Sequence, residues 1–178
     1  MLMSVGTVRR ILLLVLLVLS PLVQAQRQAA EPELKAAILV NMLLFVDWPS
    51  NAKQANDRLT LCYLEASPIA TVLDSLSGKL LKGKPLRVQA VTNGTASACN
   101  ALYLSPSDNS SLSGVVANSR ANGMLLIGDS PDYFQRGVML NLAVDDGRVV
   151  FDIDLHAARQ AGLTLSSKVM RLARKVVE

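Results

Sequence analysis

His156 is the only imidazole in this 178-residue chain, so a Ser-His-Asp or Cys-His nucleophile arrangement has to use it. No G-x-S-x-G, H-E-x-x-H, phosphate-loop or dinucleotide fingerprint stands beside it, and no catalytic residue is assigned. Asp145, Asp146, Asp152 and Asp154 form an acidic group that could suggest calcium or paired carboxylates. They lack EF-hand spacing, and the Asp145-Asp146-Gly147 run reads as a turn. Asp152 and Asp154 are expected on the wet face of a strand, with Phe151 and Ile153 facing in. Cys62 and Cys99 are the only cysteines. A disulfide is the structural reading; the alternatives are a metal site or a reactive thiol. Two Cys and one His cannot fill a tetrahedral zinc site without carboxylate help, so neither metal nor cofactor is expected. The most pointed feature is basic: Lys168, Arg171 and Lys175, with Arg174 beside them, near the end of the chain. On a helix they would make either a solvated face or a site for an anion held bidentately by Arg171 and Arg174.

These residues need a scaffold, and the start of the chain says where it works. Arg9-Arg10, the apolar run Ile11 to Leu19, and Val23-Gln24-Ala25 match the three parts of a secretory signal peptide in order. Nine apolar residues at about 1.5 Å each reach far less than a bilayer core of roughly 30 Å, and Pro21 stops the run. Residues 1–25 are therefore read as a signal peptide cleaved near Ala25, and residues 26–178 as one exported domain. The signal also carries two of the basic residues and no acid, so half of the formal +4 leaves with it. Bulk charge then gives only a weak case for attraction to nucleic acid or a membrane, and the scarcity of aromatics removes the stacking platforms of single-strand binders, so no nucleic acid is expected as a partner.

Along the mature chain, positions 33–46 follow helical spacing and are apolar on most sides, until Trp48-Pro49 ends the run. Such a helix is either sandwiched in the core or exposed to a partner. Strands are expected at 58–64, 85–91, 101–104 and 124–128, the last apolar without alternation. Helices are expected at 68–77 after the Ser67 cap and at 110–119 before Asn122-Gly123, with a compact one around Asp132-Tyr133-Phe134. Residues 138–144 and 148–153 read as a hairpin about the Asp-Gly turn. Asp154 caps a helix over 155–161. The final helix carries Leu165, Val169, Leu172 and Val176 as its apolar stripe. The order is α/β: a single three-layer domain, with a mixed, mostly parallel sheet flanked by helices, then a C-terminal β-hairpin and two helices.

Several segments together resemble a known family. They are the signal peptide, the helix running into Leu44-Phe45-Val46-Asp47-Trp48-Pro49, and the Cys before the third strand. The tail adds Gly147-Arg148-Val149-Val150-Phe151-Asp152-Ile153-Asp154-Leu155, Ala161-Gly162-Leu163, Ser166-Ser167-Lys168 and Leu172-Ala173-Arg174. This set resembles the YfiR family (DUF4154-like) of periplasmic regulatory proteins across nearly all of the mature chain. The resemblance implies a periplasmic α/β domain, not an enzyme, that represses a membrane-bound diguanylate cyclase by binding its periplasmic part. Release would raise cyclic di-GMP and favour biofilm growth. It also implies that Cys62 and Cys99 are the family's disulfide pair. A second pair expected near the hairpin is missing, since residues 138 to 154 hold no Cys. Another inner-membrane sensor, such as a histidine kinase, is the alternative partner, and a homodimer stays open. A small anionic ligand, a nucleotide or cell-wall fragment on Lys168, Arg171, Arg174 and Lys175, is the competing function.

Overall fold

A computed structural model describes residues 30–49 and 57–178. The expected signal peptide at 1–25 and most of the polar loop at 51–57 lie outside the described residues.

Helix α1 (Glu31–Met42) starts with Pro in its first turn, where a missing N–H costs nothing, and with Glu31 and Glu33 near the positive end of the helix dipole. It ends earlier than the expected Val46. Leu43–Phe45 tightens into a 3-10 turn, and β1 (Val46–Asp47) pairs antiparallel with β9 (Thr164–Leu165). Strand pairing, continued by Ser166 N–H donating to the Phe45 carbonyl at 2.9 Å, replaces the last helical turn. Trp48 and Pro49 then lock this corner. Trp48 Nε1 donates to the Asn100 carbonyl at 2.9 Å. Pro49 sits so close to Gly123 that a Cβ there would lie 2.9 Å from its Cγ, at a φ of +63° that also favours glycine.

The remaining strands are β2 (Leu59–Tyr63), β3 (Leu80–Leu81), β4 (Lys84–Ala90), β5 (Ala101–Leu104), β6 (Leu125–Gly128), β7 (Leu140–Asp145), β8 (Arg148–Asp154) and β10 (Lys175–Val177). They form an eight-stranded sheet in the order β10-β8-β7-β6-β5-β2-β4-β3. Within this sheet, among the described residues, only β7–β8 and β3–β4 are antiparallel. The helices are α2 (Pro68–Ser75), α3 (Leu112–Asn122), α4 (Leu155–Gln160) and α5 (Ser167–Met170). Ser67 caps α2 by accepting from Ala70 N–H at 3.1 Å, and Asp154 caps α4 by accepting from Ala157 N–H at 2.9 Å. The hairpin turns through Asp146 and Gly147 at φ of 45° and 70°, the left-handed pair that a two-residue turn demands.

Burial explains the lack of alternation in the central strands. Ala101, Tyr103, Leu125 and Ile127 join the core beneath α1 and α2, while Leu102, Leu104 and Leu126 join a second core beneath α3. Both faces are covered, as parallel strands require, so the domain is a three-layer α/β structure.

The C-terminus departs from the sequence reading. The expected final helix is only the four residues of α5, and Leu172, placed on its apolar stripe, is 69% exposed. Lys175–Val177 instead pairs in parallel with β8, begun by Arg174 N–H donating to the Phe151 carbonyl at 2.9 Å. The outer edge of β8 offers a ladder, and Val176 and Val177 are β-branched residues suited to it. Asp152 is likewise not on a wet face: it is 7% exposed, beside this added strand and held by Arg174.

Candidate functional site

The sheet brings polar residues together where its second half begins. Pairing sets Gly128, Asn141, Asp152 and Lys175 side by side across β6, β7, β8 and β10. The last β6–β7 pair is Gly128 with Asn141, yet β7 runs on to Asp145, so a notch opens past the end of β6. A cleft of about 830 Å³ occupies it. Its lining includes Lys35 from α1, Asp129 after β6, Phe134 from the following turn, Asn141, Asp152, Arg174 and Lys175. None of the lining residues belongs to α3; the wall on that side is the turn around Pro131, Phe134 and Gln135.

The charges in this cleft are mutually satisfied. Arg174 grips Asp152 as a fork, Nε donating to Oδ1 at 2.9 Å and Nη2 to Oδ2 at 2.6 Å, and its Nη1 lies 3.5 Å from Asp145. The Asp152 hydrogen bonds hold the guanidinium well above its ordinary pKa. Lys35 Nζ lies 2.6 Å from both Asp129 Oδ1 and Glu31 Oε1. Burial opposes its charge, but hydrogen bonds to the two carboxylates outweigh that and raise its pKa. Asp129 is raised as well, since burial outweighs the pull of Lys35. Its other oxygen accepts from Tyr103 Oη at 3.4 Å, and burial, followed by the Asp129 charge, pushes that phenol far up. Lys175 Nζ stands 5.5 Å from the centroid of the Phe134 ring, a cation–π distance. Asn141 is 2% exposed, and its Oδ1 has no hydrogen-bond partner.

Of the basic residues singled out from sequence, the cleft gathers Arg174 and Lys175; Lys168 and Arg171 are exposed on α5 and the turn after it and do not line it. The four therefore do not form one helix face. Lys35, Asp129, Phe134 and Asn141 were missed. One signal was available for Lys35, a lysine on the side of α1 that also carries Leu39 and Met42, where an unpaired charge could not stay.

The disulfide joins Cys62 on β2 to Cys99, with Cα atoms 6.0 Å apart and both residues fully buried under α3. His156 lies exposed on α4, its Nε2 2.8 Å from Gln160 Nε2. Among the described residues, no group of three or more His, Cys, Asp or Glu could hold a metal ion, and no helix is long and apolar enough to cross a membrane.

The family model described as DUF4154, YfiR/HmsC-like, matches residues 32–174. The chain belongs to that family. The match runs from the first turn of α1 to Arg174, and so contains the cleft's described lining except Lys175. Membership of the YfiR/HmsC-like family supports a periplasmic regulatory role, with which the buried disulfide is consistent. No curated protein matches the chain. Among solved structures, it is similar to a conserved domain protein of Vibrio cholerae O1 biovar El Tor, with a TM-score of 0.51 at 18% identity. It is also similar to an ABC domain of Streptococcus pneumoniae in complex with L-tryptophan, with a TM-score of 0.52 at 12% identity. In both cases the match covers 82% of this chain and 60% of the other, and at these identities it speaks for the fold alone.

Proposed function

We propose that this protein is a periplasmic regulator that represses a membrane-bound diguanylate cyclase by docking on its periplasmic part, acting through association and not catalysis. The observation that carries this reading is the family match over 32–174. A second observation supports it. The outer side of α1 exposes Leu34, 39% accessible, and Ala37, with Ile38, Leu44 and Phe45 half-buried beside them, so apolar surface is available to a partner. The decisive experiment is calorimetry of residues 26–178 against the purified periplasmic portions of the cell's diguanylate cyclases. One should bind stoichiometrically, and Leu34→Asp should weaken it at least tenfold. Silence with every such portion contradicts the reading.

The cleft favours a second reading, a small-ligand receptor that informs a cyclase or another membrane sensor such as a histidine kinase. The fold neighbour from Streptococcus pneumoniae carries a small ligand, which supports the capacity of this architecture for one. Calorimetry with nucleotides and cell-wall fragments tests it; no heat from either set removes it.

A further inference from the structure

Charge pairing in the cleft restricts what it can hold. An anion entering beside Arg174 would have to take the guanidinium from Asp152, whose side chain is only 10% exposed, and leave that carboxylate buried and unpaired. Lys35 is already shared between Asp129 and Glu31, at 2.6 Å from each. Lys175 is the remaining cation of the lining among the described residues, and it stands over Phe134. A cationic ligand fares no better, because among the described residues Asp129 and Asp152 are the only carboxylates of the lining and both are engaged.

A hydroxyl group meets no such conflict. Each carboxylate keeps lone pairs that its cation does not use, the Arg174 guanidinium and the lysine ammoniums keep N–H donors, and Asn141 contributes to the lining although its amide oxygen is buried against Gly128. Vicinal hydroxyls, each donor and acceptor at once, can therefore add to these pairs without breaking them. Leu142, Ala143 and Pro131 supply apolar surface for the C–H faces of a ring. We propose that the cleft binds a neutral polyhydroxylated ligand of saccharide chemistry, not an anion. This rests on the small-ligand reading and names its ligand class.

The test is calorimetry of residues 26–178 with N-acetylglucosamine, its β-1,4 disaccharide and glucose, beside the charged probes guanosine monophosphate and glutamate. At least one neutral sugar should bind, with an affinity changing less than twofold between 50 and 500 mM NaCl, because no net charge is neutralised. Asn141→Leu should weaken it at least tenfold. Since Asn141 is buried, Lys175→Met on the exposed side of the cleft provides a second variant and should cost severalfold while the thermal midpoint stays put. Binding of the charged probes alone overturns this inference and leaves a receptor standing. Binding of sugars that neither substitution affects overturns the cleft as the site. Silence across all five overturns both the inference and the receptor reading.

Discussion

The two halves of the sheet are built on opposite principles. Around β2, β5 and β6 the strands are apolar on both faces except for Thr60, and the buried Asn100, Ser105 and Asp108 at the strand ends are hydrogen-bonded locally. There α3 closes one side, and the Cys62–Cys99 bridge is fully buried beneath it. Around β7, β8 and β10 the interior contains Asn141 and Asp152, the hairpin leaves Val144 47% exposed, and a turn stands where a covering helix would be. Apolar burial and a covalent bridge stabilise a shape. Buried ion pairs contribute little net stability, because desolvation offsets their attraction, but they fix which groups face a cavity. The first half is thus the frame, and the second holds the polar cleft.

The largest blow to the frame should come from the disulfide. Replacing both Cys62 and Cys99 by Ala frees a loop of 37 residues and should cost about 4 kcal/mol in the chain-entropy model, read as a lower denaturant midpoint. A loss under about 1 kcal/mol would erase the contrast between the halves. In the second half, Asp152→Ala removes the partner of Arg174. Because that guanidinium is 41% exposed, solvent takes over part of its charge, and the cost should be about 2 kcal/mol by urea unfolding. Effects that are purely local should not distinguish the halves: Ser67→Ala at the cap of α2 and Asp154→Ala at that of α4 should each cost about 1 kcal/mol.

The smallest effect is a pH dependence confined to the second half. The folded pKa of Asp129 is raised above its ordinary 3.8, so the fold holds that proton more tightly than the unfolded chain does. Its contribution is full below 3.8 and is lost as pH rises through the folded value. The stability of the native protein minus that of Asp129→Asn should therefore fall as pH is raised from 4 toward 7 in guanidinium titrations. A difference that rises over this range would show that Lys35 overcomes the burial of Asp129. Lys35, Glu31 and Tyr103 are the titratable groups bonded to this site or to its lysine.

Local rules made the frame readable and long-range pairing hid the site. The apolar runs at 101–104 and 124–128, the caps at Ser67 and Asp154 and the Asp146-Gly147 turn each act within a few residues, and each is where the sequence puts it. The end of the chain obeys a rule that no local window contains. A stripe at Leu165, Val169 and Leu172 reads as helix, yet the free edge of β8 draws Lys175–Val177 into the sheet. The same event buries Asp152 under Arg174, 22 residues away, and so turns an apparent wet face into a paired interior. Asp129 and Lys35, 94 residues apart, meet for a similar reason.

The measurement closest to the central claim is cellular cyclic di-GMP in a strain lacking this gene with its membrane-bound cyclases intact. Loss of a repressor should raise the nucleotide and surface adhesion severalfold, and the gene supplied with its export signal should reverse both. Unchanged levels and unchanged adhesion would contradict repression of a diguanylate cyclase.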